Sequence, residues 1–186
     1  MNRSRIGYTV VFTFVLTFVL VGILTIVHGT TVGRVDRNEI VRYQRAVERA
    51  VGIGTYVELY AERSGEYRIT EDGREIRARA FSGAGVWGDI HGVIAVDVTN
   101  RRVIGVEIIE HNETPGLGGR IAEDRFLRQL RGETVGENGI DVVVRGPGNS
   151  NPEDATIDGI TGATGTTRAF ARILNQELQT LMTEGT

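Results

Sequence analysis

Asp158-Gly159-Ile160-Thr161-Gly162-Ala163-Thr164 sets two threonine hydroxyls among small residues directly ahead of a helical pattern. Phe170, Ile173, Leu174, Leu178 and Leu181 recur at helical spacing, which predicts a helix starting close to Thr164 and running to about Met182. A helix start carries unpaired backbone N–H groups and the positive end of the helix dipole. That setting favours a phosphate or similar anion by roughly 0.3–2 kcal/mol. Gly159, Gly162 and Ala163 permit tight turns and close approach of a bulky group. Arg168, four residues after Thr164, falls on the same helix face and can pair with a phosphate held there. The plain alternative is that Thr161 or Thr164 is only an N-cap.

A second stretch, His111-Asn112-Glu113-Thr114-Pro115-Gly116-Leu117-Gly118-Gly119, has a different kind of chemistry. Pro115 fixes one φ angle, and Gly116, Gly118 and Gly119 can adopt conformations closed to other residues, so backbone can lie against a flat ring and offer it N–H groups. Glu113, Thr114 and Leu117 add a carboxylate, a hydroxyl and an apolar contact. In isolation such a run is a surface turn. Upstream, Gly85-Val86-Trp87-Gly88-Asp89-Ile90-His91-Gly92-Val93-Ile94-Ala95 holds the chain's only tryptophan, which either covers a site or packs in the core.

Taken together, these segments resemble one family. Asp158 to Thr164 resembles the D-G-x-[S/T]-G-A-T pattern on which bacterial flavoproteins carry covalent FMN. The Glu113 loop resembles the H-x-E-T-P-G-L-G loop of NqrC, from Na+-translocating NADH:quinone reductase, and of RnfG, from the Rnf electron transport complex. The Trp87 segment is similar to a strand entry of NqrC. The three occur in family order. The resemblance implies that a flavin transferase takes FAD and joins its FMN phosphate to the Thr164 hydroxyl. It also implies flavin contacts from Asp158, Gly159, Thr161, Gly162, Ala163, Arg168, Glu113, Thr114, Pro115, Gly116, Leu117 and Trp87. The protein would be an electron-transfer subunit with other membrane subunits as partners. The Trp87 region looks more like NqrC and the short chain more like RnfG.

Other chemistry finds no foothold in the residue pattern. His91 and His111 stand apart from any clustered ligands, so no metal is assigned. No paired carboxylates or nucleophile–histidine arrangement marks a self-contained catalytic site. With no cysteine, disulfides, thiolate catalysis and cysteine-ligated clusters are excluded. The net charge is −3 and the arginines are interleaved with acids, which gives nucleic-acid binding no support.

The elements that must carry these motifs begin with an apolar run. Ile6 to His28, preceded by Arg3 and Arg5, would span ~34 Å as a helix, enough for a hydrocarbon core of about 30 Å. We expect residues 1–5 in the cytoplasm, 6–28 as an uncleaved single-pass anchor in the bacterial inner membrane, and 29–186 as an extracytoplasmic FMN-binding domain. Thr9, Thr13 and Thr17 form a strip that either packs on a partner helix or bonds its own backbone.

Asp36-Arg37-Asn38-Glu39 has capping-box spacing and predicts a fresh helix there, with Ile40, Tyr43, Val47, Ala50 and Val51 on one face and Gly52 and Gly54 at its end. Strand-like runs follow at 56–60, 67–69, 76–81, 93–98 and 103–109, with a hairpin turn at 99–102, a short helix over 122–130 and a strand over 140–144. The fold class expected is α+β, antiparallel strands with flanking helices. Two other functions fit the same elements: a membrane-tethered flavin sensor or reductase partner outside an ion pump, and a flavin-free membrane adaptor in which Thr164 is merely structural.

Overall fold

The computed structural model describes residues 3–52, 66–71, 73–144 and 151–183. The expected strand over 56–60, the glycine at 54 and most of the loop before the Thr164 motif lie outside the described residues. Two compact units emerge, Met1–Val41 and Arg42–Thr186.

The first unit is helical. Helix α1 runs from Arg3 to Val51 without interruption, so the capping-box residues do not open a second helix as expected. A Ser, Thr, Asp or Asn cap matters where a helix starts. Here no proline intervenes and Gly33, at a cost of about 1 kcal/mol, is not enough to break the run. Gly7–Thr30 has mean hydropathy 2.9 and none of it is buried within the protein, as a membrane-crossing helix requires by length and composition. Thr25 and Thr30 donate their hydroxyls to the Val21 and Val27 carbonyls, at 2.8 and 3.0 Å, which hides their polarity inside the helix.

In the second unit, four strands form an antiparallel meander, β1 Glu66–Glu71, β2 Arg74–Ala84, β3 Asp89–Asp97 and β4 Arg102–His111. Side chains alternate between its faces, and both are covered. One face receives Ala46, Val47, Ala50 and Val51 from the end of α1, packed with Ile69, Ile76, Ala78, Val93 and Ala95. The other receives the C-terminal helix α3, Thr164–Thr183, whose Phe170, Ile173, Leu174, Leu178 and Leu181 meet Phe81, Ile90, Ile94 and Val106. Burial on two faces explains the unbroken apolar run Val93 to Val96, since no position of a central strand then faces water. Helix α3 is also tied down at its far end. Arg77, 3% exposed, donates to the Leu181 carbonyl at 3.4 Å, and Arg79 pairs with Glu177 at 3.6 Å. A cation at a helix C-terminus interacts favourably with the dipole.

Two expectations are corrected here. The segment 122–130 is not one helix: a 3-10 turn over Gly118–Ala122, helix α2 over Asp124–Leu127 and a second 3-10 turn over Arg128–Leu130 share it, because Glu123 is extended at φ −72°, ψ 137°. And the last two strands, β5 Asp141–Val143 and β6 Thr156–Asp158, pair parallel, not antiparallel. Only Ile140 of the expected buried strand is fully buried, while Val144 is exposed. The parallel pair has a purpose for the site: β6 delivers Asp158 directly into the Thr164 motif.

Candidate functional site

Three loops far apart in sequence converge at the first turn of α3. They are the β2–β3 connection at 85–88, the segment after β4 at 112–117, and the turn at 159–163. Glu113 joins them. Its Oε1 accepts the backbone N–H groups of Val86 at 2.6 Å and Trp87 at 3.1 Å, and its Oε2 accepts the Thr166 hydroxyl at 2.7 Å. The side chain is 3% exposed. Room for it exists because Gly85 and Gly118 carry no side chain: a Cβ on Gly118 would lie 2.6 Å from Oε2, and one on Gly85 would strike Oε1. His111 Nδ1 in turn accepts the Glu113 N–H at 3.2 Å.

Burial by itself pushes the Glu113 carboxyl above its ordinary value. The Thr166 hydroxyl and the Trp87 and Val86 amides outweigh that, so the group is held below it. Glu113 therefore sits in the fold as a carboxylate at neutral pH.

The threonines of the C-terminal motif differ sharply in what they do. Thr167 is fully buried, donates to the Ala163 carbonyl at 3.1 Å and accepts the Ile160 N–H at 3.1 Å, closing the turn that precedes the helix. That turn passes through Gly162 at φ +82°, a conformation L side chains rarely adopt. Thr166 is buried and bound to Glu113. Thr161 is exposed in the turn. Thr164 is the first residue of α3, half-exposed, and among the described residues its hydroxyl has no hydrogen-bond partner. The first N–H groups at this helix start are likewise unused by the helix itself.

The other residues marked by sequence fall into two groups. Leu117 belongs to the immediate surroundings: a Cβ on Gly162 would meet its Cδ2 at 3.4 Å, just as a Cβ on Gly165 would meet Val86 Cγ2 at 3.4 Å. Val86, Trp87 and Leu117 are 51, 71 and 48% exposed, an apolar rim beside the helix start. Trp87 is thus not a core residue. Thr114, Pro115 and Gly116 lie exposed at the outside of the same loop. Asp158 and Gly159 brace the approach from behind, through N–H bonds of 2.8 Å each to Gln129 Oε1 and to the Val143 carbonyl. Ala163 is buried beneath the turn. Arg168 is exposed one turn below Thr164, in a shallow groove it shares with Arg172 and Val142.

Sequence patterns did not reveal the Glu113 cradle, the part of Val86 in the rim, or Arg172, which donates to the Ala84 carbonyl at 3.1 Å. The two glycines around Glu113 were the available signal, yet each also has an ordinary turn explanation.

Comparison with known proteins bears on this geometry. The FMN-binding domain family matches residues 85–179, which begin at the Glu113 cradle and end inside α3. The chain is 34% identical over 115 residues to the C subunit of the Na(+)-translocating NADH-quinone reductase of Chlamydia trachomatis, a match covering 50% of this chain and 36% of that protein. For the corresponding Yersinia pestis protein the identity is 30%, covering 59% and 42%. The chain thus spans less than half the length of these curated relatives.

Among solved structures, the same C subunit from Parabacteroides distasonis superposes with a TM-score of 0.51 at 28% identity, covering 61% of this chain and 58% of that one. Shewanella oneidensis NqrC gives 0.51 at 24% identity, over 59% and 52%, a likeness of fold. The antiparallel sheet with flanking helices is the architecture these share. With half its length matched, and with that half containing all three converging loops, the chain belongs to the FMN-binding domain family.

Proposed function

We propose that this chain is a single-pass membrane flavoprotein that carries FMN as a phosphoester on the Thr164 hydroxyl and relays electrons within an Nqr- or Rnf-type ion-translocating complex. One observation carries the attachment site: of the hydroxyls at the start of α3, Thr166 and Thr167 are buried and committed to other partners, whereas Thr164 is accessible and uncommitted.

The surroundings fit the group. A phosphate on Thr164 meets the free N–H groups of the first helical turn and the dipole, with Arg168 one turn away to balance its charge. Gly162 and Gly165 leave the hydroxyl open to a transferase. In the coupling step the Thr164 oxygen bonds to the FMN phosphorus of FAD, the pyrophosphate bond breaks and AMP leaves, while the hydroxyl proton passes to the transferase or solvent. Val86, Trp87 and Leu117 offer the apolar surface that a flat ring system needs beside such an anchor. Bound FMN supplies the one- or two-electron chemistry at its ring. The chain's own residues hold the phosphate, orient the ring and leave one edge open to a redox partner.

Gly7–Thr30 provides the anchor, with Arg3 and Arg5 favouring a cytoplasmic start and an extracytoplasmic domain. The ion path belongs to other subunits, because this span holds no acidic or basic side chain apart from His28. Relatives named as the C subunit of a sodium-translocating NADH-quinone reductase support that assembly.

Intact mass spectrometry of the protein made with a flavin transferase tests the proposal. The wild-type mass should rise by one esterified FMN and Thr164→Ala should stay unmodified. An unmodified wild type, or a flavinylated Thr164→Ala, overturns it.

A further inference from the structure

Glu113 lies in the loop expected to face the flavin, yet its carboxylate is turned inward and its oxygens are already engaged. Three of its roughly four acceptor positions are filled, two by amides 26 and 27 residues upstream and one by a hydroxyl 53 residues downstream. At 3% exposure, and walled by Gly85 and Gly118, it has no oxygen to offer a ligand. What it touches is more informative. One partner is the backbone of Trp87, in the exposed apolar rim. Another is Thr166, two residues beyond the hydroxyl to which the flavin is assigned.

We infer that Glu113 is a positioning residue that locks the Trp87 turn to the first turn of α3, so that the apolar rim and the Thr164 hydroxyl form one rigid surface. The flavin part of this inference rests on the function proposed above; the locking itself does not. Hydrogen bonds to a buried carboxylate are about twice as strong as neutral ones, and short charged contacts to both elements suppress their independent motion. Without them the hydrogen bonds left to the β2–β3 connection at 85–88, among the described residues, are its own turn bond, from the Gly85 N–H to the Gly88 carbonyl at 2.9 Å, and the Arg172 contact at neighbouring Ala84. The flavin's phosphate end would stay fixed by Thr164 while the wall beside its ring loosened.

Trp87 is the only tryptophan, so its fluorescence reports the turn without a label. Time-resolved anisotropy is measured on the full chain in detergent, flavin-free and flavinylated. In flavin-free Glu113→Ala, with an unchanged circular dichroism spectrum, the amplitude of fast Trp87 depolarisation should at least double. Glu113→Gln keeps the length and an acceptor oxygen for both amides, and should restore most of the wild-type value. In flavinylated protein, Thr166→Val cuts the tie to α3 alone and should lower flavin anisotropy and shift its visible absorption.

Unchanged Trp87 motion in a folded Glu113→Ala protein overturns the inference, as does a Gln variant as mobile as the Ala one. If the Ala variant fails to fold, Thr166→Val decides: no change in flavin anisotropy overturns it. Failure of the flavin assignment appears separately, as an unmodified wild-type mass, and the flavin-free Trp87 measurement then still decides the locking.

Discussion

Helix α3 and the Gly7–Thr30 stretch of α1 are both rich in apolar residues, but they bury them by opposite means. In α3 the apolar residues keep to one face: Phe170, Ile173, Leu174, Leu178 and Leu181 are buried, while Arg168, Arg172, Gln176 and Gln179 face out. In Gly7–Thr30 they point in every direction, and Val10, Phe14, Phe18 and Leu24 stay 62, 71, 73 and 66% exposed. An amphipathic helix finds its apolar environment inside its own domain. A helix apolar all round finds none there, and the length and composition of Gly7–Thr30 suit a bilayer. The contrast also explains where chemistry sits, because only a helix held on one face can present its start, and Thr164 with it, in a fixed direction.

The contrast breaks down if core and membrane positions respond alike. Phe170→Ala removes a ring packed edge-on and tilted against Phe81 and Phe126, with centroids 6.1 and 5.8 Å away. It should cost about 3–5 kcal/mol of domain stability in chemical denaturation, while Phe14→Ala leaves the domain's midpoint unchanged. Equal losses would show that Gly7–Thr30 packs as a core helix.

Next in size, Leu16→Arg should disfavour membrane insertion by roughly 3–4 kcal/mol. Fractionation should then find more of the protein in the soluble phase, with thermal unfolding of the domain unaltered. Retention equal to wild type would mean that something other than this helix holds the chain at the membrane.

The smallest effects compare two buried glutamates, and their signs are opposite. Glu113 is held below its ordinary value of 4.5, so the stability it contributes is present above that pH and fades as the pH falls through its folded value. Glu133 is raised by burial and by nearby Asp154, against the amides of Ala155, Thr156 and Thr134. Its Oε1 is buried with no hydrogen-bond donor among the described residues. Its charge therefore costs stability at neutral pH, a cost that disappears as the pH falls through its raised value toward 4.5. At pH 7 Glu113→Gln should lower the melting temperature and Glu133→Gln raise it; the Glu133 difference should shrink as the pH falls toward 4.5, and the Glu113 difference only below 4.5. Shifts of the same sign would refute the contrast.

Local patterns carried a good part of this molecule. The helix from Thr164 was legible because five apolar residues at helical spacing follow a Gly-Ala-Thr start, and the observed element is Thr164–Thr183. The β3–β4 hairpin was legible from two β-branched runs separated by the polar turn at 99–102. What escaped was whatever depended on a partner distant in sequence. The capping box at Asp36 failed because a cap matters only where the chain enters a helix, and α1 was already under way. The parallel pairing of β5 with β6 leaves no local trace in two three-residue strands. Residue type left Trp87 open between covering a site and packing in the core, and its 71% exposure in the turn after β2 removes the core alternative.

By itself, the sequence determined an N-terminal apolar helix of membrane-spanning length, most of the strand-forming runs, the helix at Thr164 and the resemblance to the family, because each is written in periodicity, composition or short motifs. Only the tertiary structure decided which threonine hydroxyl stays uncommitted and what Glu113 does. Thr167 is committed locally, but the role of Glu113 and the commitment of Thr166 depend on hydrogen bonds that close loops of 26 to 53 residues. Such contacts exist only once the sheet and α3 have packed, and no local pattern encodes them.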